Sequence, residues 1–230
     1  MFHSGFVLFP NLTQLDFTGQ LQVLHRLPGA KTHIIARTLE PVPSDCGLSL
    51  LPTTTFADCP PLDLICIPGG FGVDQAMADL EAVDFVRRQG ATAKYVTSVC
   101  TGAFILGAAG LLQGKRATTH WAYHDFLRLV GATPEHARVV RDGRTITGGG
   151  VTAGIDFALT VAAEIAGAEI AQTIQLAIEY DPAPPFDSGS PSRAPTNVRE
   201  EMTNRYAKRQ EAFKIALLAA TRPSSLVPSP

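Results

Sequence analysis

Cysteine 100 stands in Ser98-Val99-Cys100-Thr101-Gly102, where an apolar strand meets a helix of small residues. Small residues two positions either side of a nucleophile let a strand-to-helix turn close tightly with the side chain held out. The unpaired N–H groups and positive dipole end of the following helix then favour the sulfur anion. That chemistry is nucleophilic attack by a thiolate exposed in a cleft. An inert buried thiol, the commoner fate of a free cysteine, fits the same residues. Cys46, Cys59 and Cys66 lie in loops or inside a strand and are weaker candidates.

Two further stretches carry possible partners. Pro68-Gly69-Gly70-Phe71-Gly72 follows another apolar run, and glycines there let backbone N–H groups approach a ligand. With the N–H of Thr101 they offer a donor pair for developing negative charge. Asp16, in Thr13-Gln14-Leu15-Asp16, reads in two ways. It is either the far end of a capping box begun by Thr13, or a buried carboxyl that moves protons beside Cys100. His120 and His124 have the i, i+4 spacing of two metal ligands, but the glutamate of H-E-x-x-H is missing and Trp121 takes its place. A structural or pocket-lining role suits them better, and Trp121 and Tyr123 read as core or pocket wall. Gly148-Gly149-Gly150 lacks the dinucleotide spacing and reads as a flexible entry to the next helix, bordering the site.

The surrounding elements alternate. Strands are expected at Gly5-Phe9, Lys31-Arg37, Leu62-Pro68 and Tyr95-Val99, with a hairpin around Asp142-Gly143 and an edge hairpin near Leu48-Leu51. Helices are expected over 11–27, 75–89, 101–112, 121–130, 153–167, 169–180 and 197–220. Such alternation predicts an α/β fold, a mostly parallel sheet with helices on both faces. Ligands in such sheets bind beyond the carboxyl ends of the strands, where Cys100 sits. Residues 1–180 form the α/β domain. In 181–230, a Pro/Ser/Gly arm leads to a charged helix that packs on the domain or on a partner subunit.

Composition narrows the class. The chain has 230 residues, 45% of them hydrophobic, and a formal charge of -2, without a basic block that would suit nucleic acid. No apolar run approaches the ~20 residues that cross a bilayer, and the N-terminus lacks a signal-peptide pattern. Four cysteines without a C-x-x-C pair argue against zinc or thioredoxin-type use, and disulfides are not expected if the chain stays in the cytosol. A cytoplasmic protein is expected.

LTQLDFTGQLQVL, DLICIPGGFG, SVCTGAFILGAAGLLQGKRATTHWAYHD, ITGGGVTAGIDFAL and IQLAIEYDPAPPFDSGSP, spread over residues 5 to 191, together resemble the ThiJ/PfpI superfamily. The similarity is strongest to its isonitrile-hydrating branch. The resemblance implies a flavodoxin-like, doubly wound fold with a nucleophile elbow, and a homodimer whose interface the C-terminal arm and helix help to form. It also implies addition of water to an isonitrile, R–N≡C, giving an N-substituted formamide without metal or organic cofactor. Cys100 would be the nucleophile, Asp16 the general acid/base and Thr101 a support at the elbow. Gly69, Gly70, Phe71, His120, Trp121 and Val151 would line the substrate and anion pocket. Thr101 stands where peptidase-like members carry histidine, which disfavours a Cys-His peptidase. The 49 residues after Asp181 leave no room for the helix-turn-helix domain of related regulators. A glyoxalase or deglycase acting on dicarbonyls, and a non-catalytic cysteine sensor, are the competing expectations.

Overall fold

The computed structural model describes residues 1–221, so residues 222–230 of the expected C-terminal segment lie outside it. The strands are β1 (Phe2–Val7), β2 (Ala30–Ala36), β3 (Val42–Pro43), β4 (Ser49–Leu50), β5 (Thr54–Thr55), β6 (Leu64–Ile67), β7 (Tyr95–Val99), β8 (Arg116–Ala117), β9 (Thr133–Pro134), β10 (Val139–Asp142) and β11 (Thr145–Gly148). The helices are α1 (Gln14–Leu24), α2 (Val73–Ala78), α3 (Leu80–Thr92), α4 (Ala103–Ala108), α5 (Ala153–Ala166), α6 (Ala168–Ala177) and α7 (Thr196–Ala220). Two 3-10 segments, Cys100–Gly102 and Trp121–Val130, complete the set.

Seven strands form one sheet in the order β10-β11-β7-β6-β1-β2-β5. All neighbours run parallel except β10 and β11, which make the hairpin expected at Asp142-Gly143. α1 packs on α5, while α3 and α4 pack on each other and on the central strands β6 and β7. Both faces of β6 are therefore covered, which is why Leu-Ile-Cys-Ile is apolar throughout and fully buried. This is the doubly wound, mostly parallel α/β architecture. Phe6, Phe85, Phe104 and Phe157 anchor its core.

Register brings the functional loops together. Ser98 pairs with Ile67 on one side and Thr147 on the other, and Val99 pairs with Gly148. Pro68-Gly69-Gly70, Cys100 and Gly149-Gly150 therefore leave the sheet side by side. Phe6 pairs with Cys66, so the turn from β1 into α1 emerges at the same end.

Several element boundaries differ from expectation. The helix expected over 75–89 is two, because the Asp79 side chain accepts from the N–H groups of Glu81 and Ala82 and starts a new helix. The helix expected over 101–112 is shorter. It opens as a 3-10 turn, holds only six α-helical residues, and gives way before Gly110, which adopts a left-handed φ of 77°. The edge hairpin expected near Leu48-Leu51 is instead a pairing of Val42-Pro43 with Ser49-Leu50, in a two-stranded sheet apart from the main one. α7 lies against α2, α4 and the Trp121–Val130 segment of the same chain, burying Phe213 and Leu217.

Candidate active site

Cys100 begins the turn after β7 with φ at +55°, a left-handed conformation that costs a non-glycine residue ~1–3 kcal/mol. Neighbours hold it there. Its N–H donates to the Gly149 carbonyl at 2.9 Å, and its carbonyl accepts from the Thr119 hydroxyl at 2.6 Å. A Cβ on Gly102 would stand 2.3 Å from the Ile67 carbonyl oxygen, so the turn closes only with glycine there. The Thr101 hydroxyl lies between the N–H of Gly70, at 3.0 Å, and the Gly70 carbonyl, at 3.4 Å, tying the elbow to the glycine loop.

Asp16, in the first turn of α1, is fully buried. Its Oδ2 accepts from the N–H of Gly69 at 3.1 Å, and its Oδ1 has no hydrogen-bond partner. The capping-box alternative is not what forms. Thr13 makes no side-chain cap and instead donates its hydroxyl to Asp45 at 2.8 Å. Gly69 lies between the two candidate reactive groups: a Cβ there would fall 2.8 Å from Asp16 Oδ2, 2.8 Å from Cys100 Cβ and 2.6 Å from the Thr101 nitrogen.

Burial pushes the Asp16 carboxyl up to about 7. The Cys100 thiol and the Gly69 N–H restrain that rise, while Asp45 adds to it. Burial, and then the Asp16 charge, push the Cys100 thiol well above its ordinary range, against the N–H groups of Val151 and Thr101. An exposed, largely ionised sulfur is therefore corrected. Cys100 is only 5% exposed, and a six-residue helix offers too little dipole to outweigh desolvation beside a carboxylate. The two groups titrate as a pair. Once Asp16 has ionised near pH 7 they hold one proton between them.

The sulfur faces a cavity of about 60 Å³ lined by Thr13, Gly70, Phe71, Thr101, His120, Tyr123 and Val151, and closed by Tyr206, Arg209 and Phe213 of α7. Val151 has φ at +22°, a second non-glycine residue in an unfavoured conformation at the pocket wall. Phe71 is half exposed and lies 4.4 Å beneath the Arg209 guanidinium, whose Nη2 also donates to the Phe71 carbonyl at 3.1 Å. Phe213 packs edge-on against Phe104 with ring centres 5.1 Å apart.

Other expected site residues fall elsewhere. Gly69 sits below the cavity, its N–H committed to Asp16. The Gly70 N–H is taken by the Thr101 hydroxyl, so the Gly70–Thr101 donor pair does not form and the N–H groups of Thr101 and Val151 face the sulfur instead. Trp121 lies outside the cavity, edge-on to Tyr206 and next to the arm, because the 3-10 turn swings it away from Cys100. His120 caps that turn by accepting from the Ala122 N–H at 3.3 Å. His124 points the other way, with Nε2 at 3.0 Å from the Glu135 carbonyl and its ring stacked on His136. No group of three potential metal ligands is gathered among the described residues.

The charged helix expected over 197–220 forms as α7, but its part in the site was missed: Tyr206, Arg209, Phe213 and Leu217 recur at helical spacing and mark the side turned inward, three of them onto the cavity. A larger apolar cavity of about 380 Å³, bordered by Phe9, Ala36, Val42, Phe56 and Ile105, holds no nucleophile.

The DJ-1/PfpI family model matches residues 5–164. The chain belongs to the DJ-1/PfpI family. A relative from Pseudomonas putida named isonitrile hydratase is 61% identical over 203 residues, covering 88% of this chain and 89% of the relative. The crystal structure of a ThiJ/PfpI family protein from Pseudomonas syringae superposes with a TM-score of 0.91 at 44% identity, over 96% of this chain and 90% of that one. DJ-1beta from Drosophila melanogaster superposes at 0.70 with 26% identity, over 79% of this chain and 99% of its own. The DJ-1/PfpI fold is thus preserved in relatives well below half identity, and α7 lies beyond the segment that the family model matches.

Proposed function

We propose that this DJ-1/PfpI protein hydrates isonitriles to N-substituted formamides, without metal or organic cofactor. The observation that carries this reading is the 61% identity to an isonitrile hydratase along nearly the full length of both chains. The geometry supports it with a strained cysteine beside a buried carboxyl that has one unpartnered oxygen.

Cys100 is the nucleophile and Asp16 the proton carrier. The Asp16 carboxylate takes the S–H proton as sulfur bonds to the terminal carbon of R–N≡C. That proton then passes to the same carbon, leaving Asp16 ionised and a thioimidate, Cys100–S–CH=N–R. Water adds to the thioimidate carbon, and one of its protons is balanced by one arriving on nitrogen. As the C–S bond breaks, its electron pair goes to sulfur, and Asp16 carries the remaining hydroxyl proton there. The products are R–NH–CHO and the free thiol. Thr101 supports the elbow through Gly70, and the N–H groups of Thr101 and Val151 steady the sulfur while it is anionic.

Purified protein mixed with p-nitrophenyl isocyanide tests this reading. Formamide absorbance should rise with wild type and not with Cys100→Ala. Methylglyoxal consumption without isonitrile turnover would move the assignment to dicarbonyl chemistry. A cytoplasmic homodimer completes the proposal. The C-terminal arm and helix would help its interface, where Phe186 and Ile215 are exposed, and sedimentation should give twice the chain mass.

A further inference from the structure

The His120 ring has a fixed tautomer. Its Nδ1 accepts the N–H of Ala122 at 3.3 Å, so that nitrogen carries no proton in the neutral ring and Nε2 carries it. Burial pushes His120 down to about 4, which keeps the ring neutral at working pH. Nε2 lies 3.4 Å from the Tyr206 hydroxyl. A donor there occupies the phenolic oxygen and leaves the Tyr206 O–H to point onward. Tyr206 lines the Cys100 cavity from α7, where burial first, and then the Cys100 charge, raise its phenol. Donors thus run in one direction, from the Ala122 backbone through His120 to Tyr206 and into the pocket.

Resting on the isonitrile reading, we propose that Tyr206 is a catalytic residue that donates its hydroxyl hydrogen to the substrate nitrogen, with His120 as its positioning residue. The nitrogen of R–N≡C has no free lone pair, because all its electrons lie in bonds. Sulfur addition converts the triple bond to C=N and places a lone pair on nitrogen. The Tyr206 hydrogen bond is therefore made only as the reaction advances, which is the kind of interaction that raises kcat without tightening substrate binding. As water adds to the thioimidate, the Tyr206 proton moves onto nitrogen and the proton that water releases returns to the phenolic oxygen. The tyrosine is unchanged over a turnover.

Tyr206→Phe tests this, since the ring and its contacts with Trp121 and Tyr123 stay in place and the variant should remain folded at the assay temperature, with at most a small drop in melting point from the lost His120 contact. We expect kcat to fall roughly ten- to a hundredfold with KM within about twofold. The loss should be larger for cyclohexyl isocyanide than for p-nitrophenyl isocyanide, because the alkyl thioimidate nitrogen is more basic. Wild-type kcat in the variant, or an equal loss with both substrates carried mainly by KM, would overturn the role while leaving the hydratase reading intact. Wild-type protein inert toward both isonitriles would sink that reading and this proposal together.

Discussion

In the proposed reaction, Asp16 sets what the sulfur can do. With its carboxyl raised to about 7, the pair gains the state that holds a single proton only as pH rises through neutrality. kcat/KM should therefore climb through an apparent pKa near 7 and stay high into the alkaline range, since the thiol is itself pushed up. A pH-rate profile checks this, and a rate that falls on going from pH 6 to 8 would contradict it. Asp16→Asn keeps the shape, removes the proton acceptor, and should lower turnover about a thousandfold or more. The tight turn at Cys100 was legible from its small flanking residues, which that turn requires. Asp16 was only half legible, because Thr-x-x-Asp at a helix start suits a capping box equally well. What separates the readings is burial against Gly69, a contact between residues 53 positions apart. The ionisation state of the sulfur was misread for a related reason: desolvation is set by everything packed around the group, which local pattern does not reveal.

At the scale of elements, the glycine loop and α7 set the pocket. Gly69→Ala drives a methyl into Asp16, Cys100 and the Thr101 nitrogen at once. It should abolish turnover while most of the protein remains folded, as circular dichroism and the formamide assay together would show. Phe213, nearly buried among Phe104, Tyr123 and Phe126, holds α7 to the domain. Phe213→Ala should cost about 3–4 kcal/mol in urea unfolding and raise KM by opening the pocket wall. The central strands were legible because two-sided burial makes them uniformly apolar. The split at Asp79 and the brevity of α4 were harder to see, since each depends on one or two residues within otherwise helical stretches. The inward face of α7 was legible only in hindsight, its few apolar residues diluted by charge over 25 residues.

Across the whole molecule, topology makes the site and the site weakens the fold. The parallel order brings the ends of β1, β6, β7 and β11 together; strand-helix alternation made the parallel sheet legible but not this strand order, which depends on long-range pairing. Holding Asp16 without water carries a stability cost with a definite sign. Between its ordinary 3.8 and about 7, the native chain keeps a proton that the unfolded chain has released. Stability must then fall as pH rises across that window, by up to about 4 kcal/mol, and level off above it. Asp16→Asn should flatten that slope in melting curves recorded from pH 4 to 8. An identical slope in wild type and variant would show that the carboxyl is not held apart from solvent.

The covalent step is the heart of the account, and it can be weighed directly. Wild-type protein mixed with an isonitrile and quenched in acid within one turnover should yield a Cys100 peptide heavier by one substrate mass, absent from Cys100→Ala. Steady formamide production with no such adduct on wild type, or undiminished production by Cys100→Ala, would contradict it.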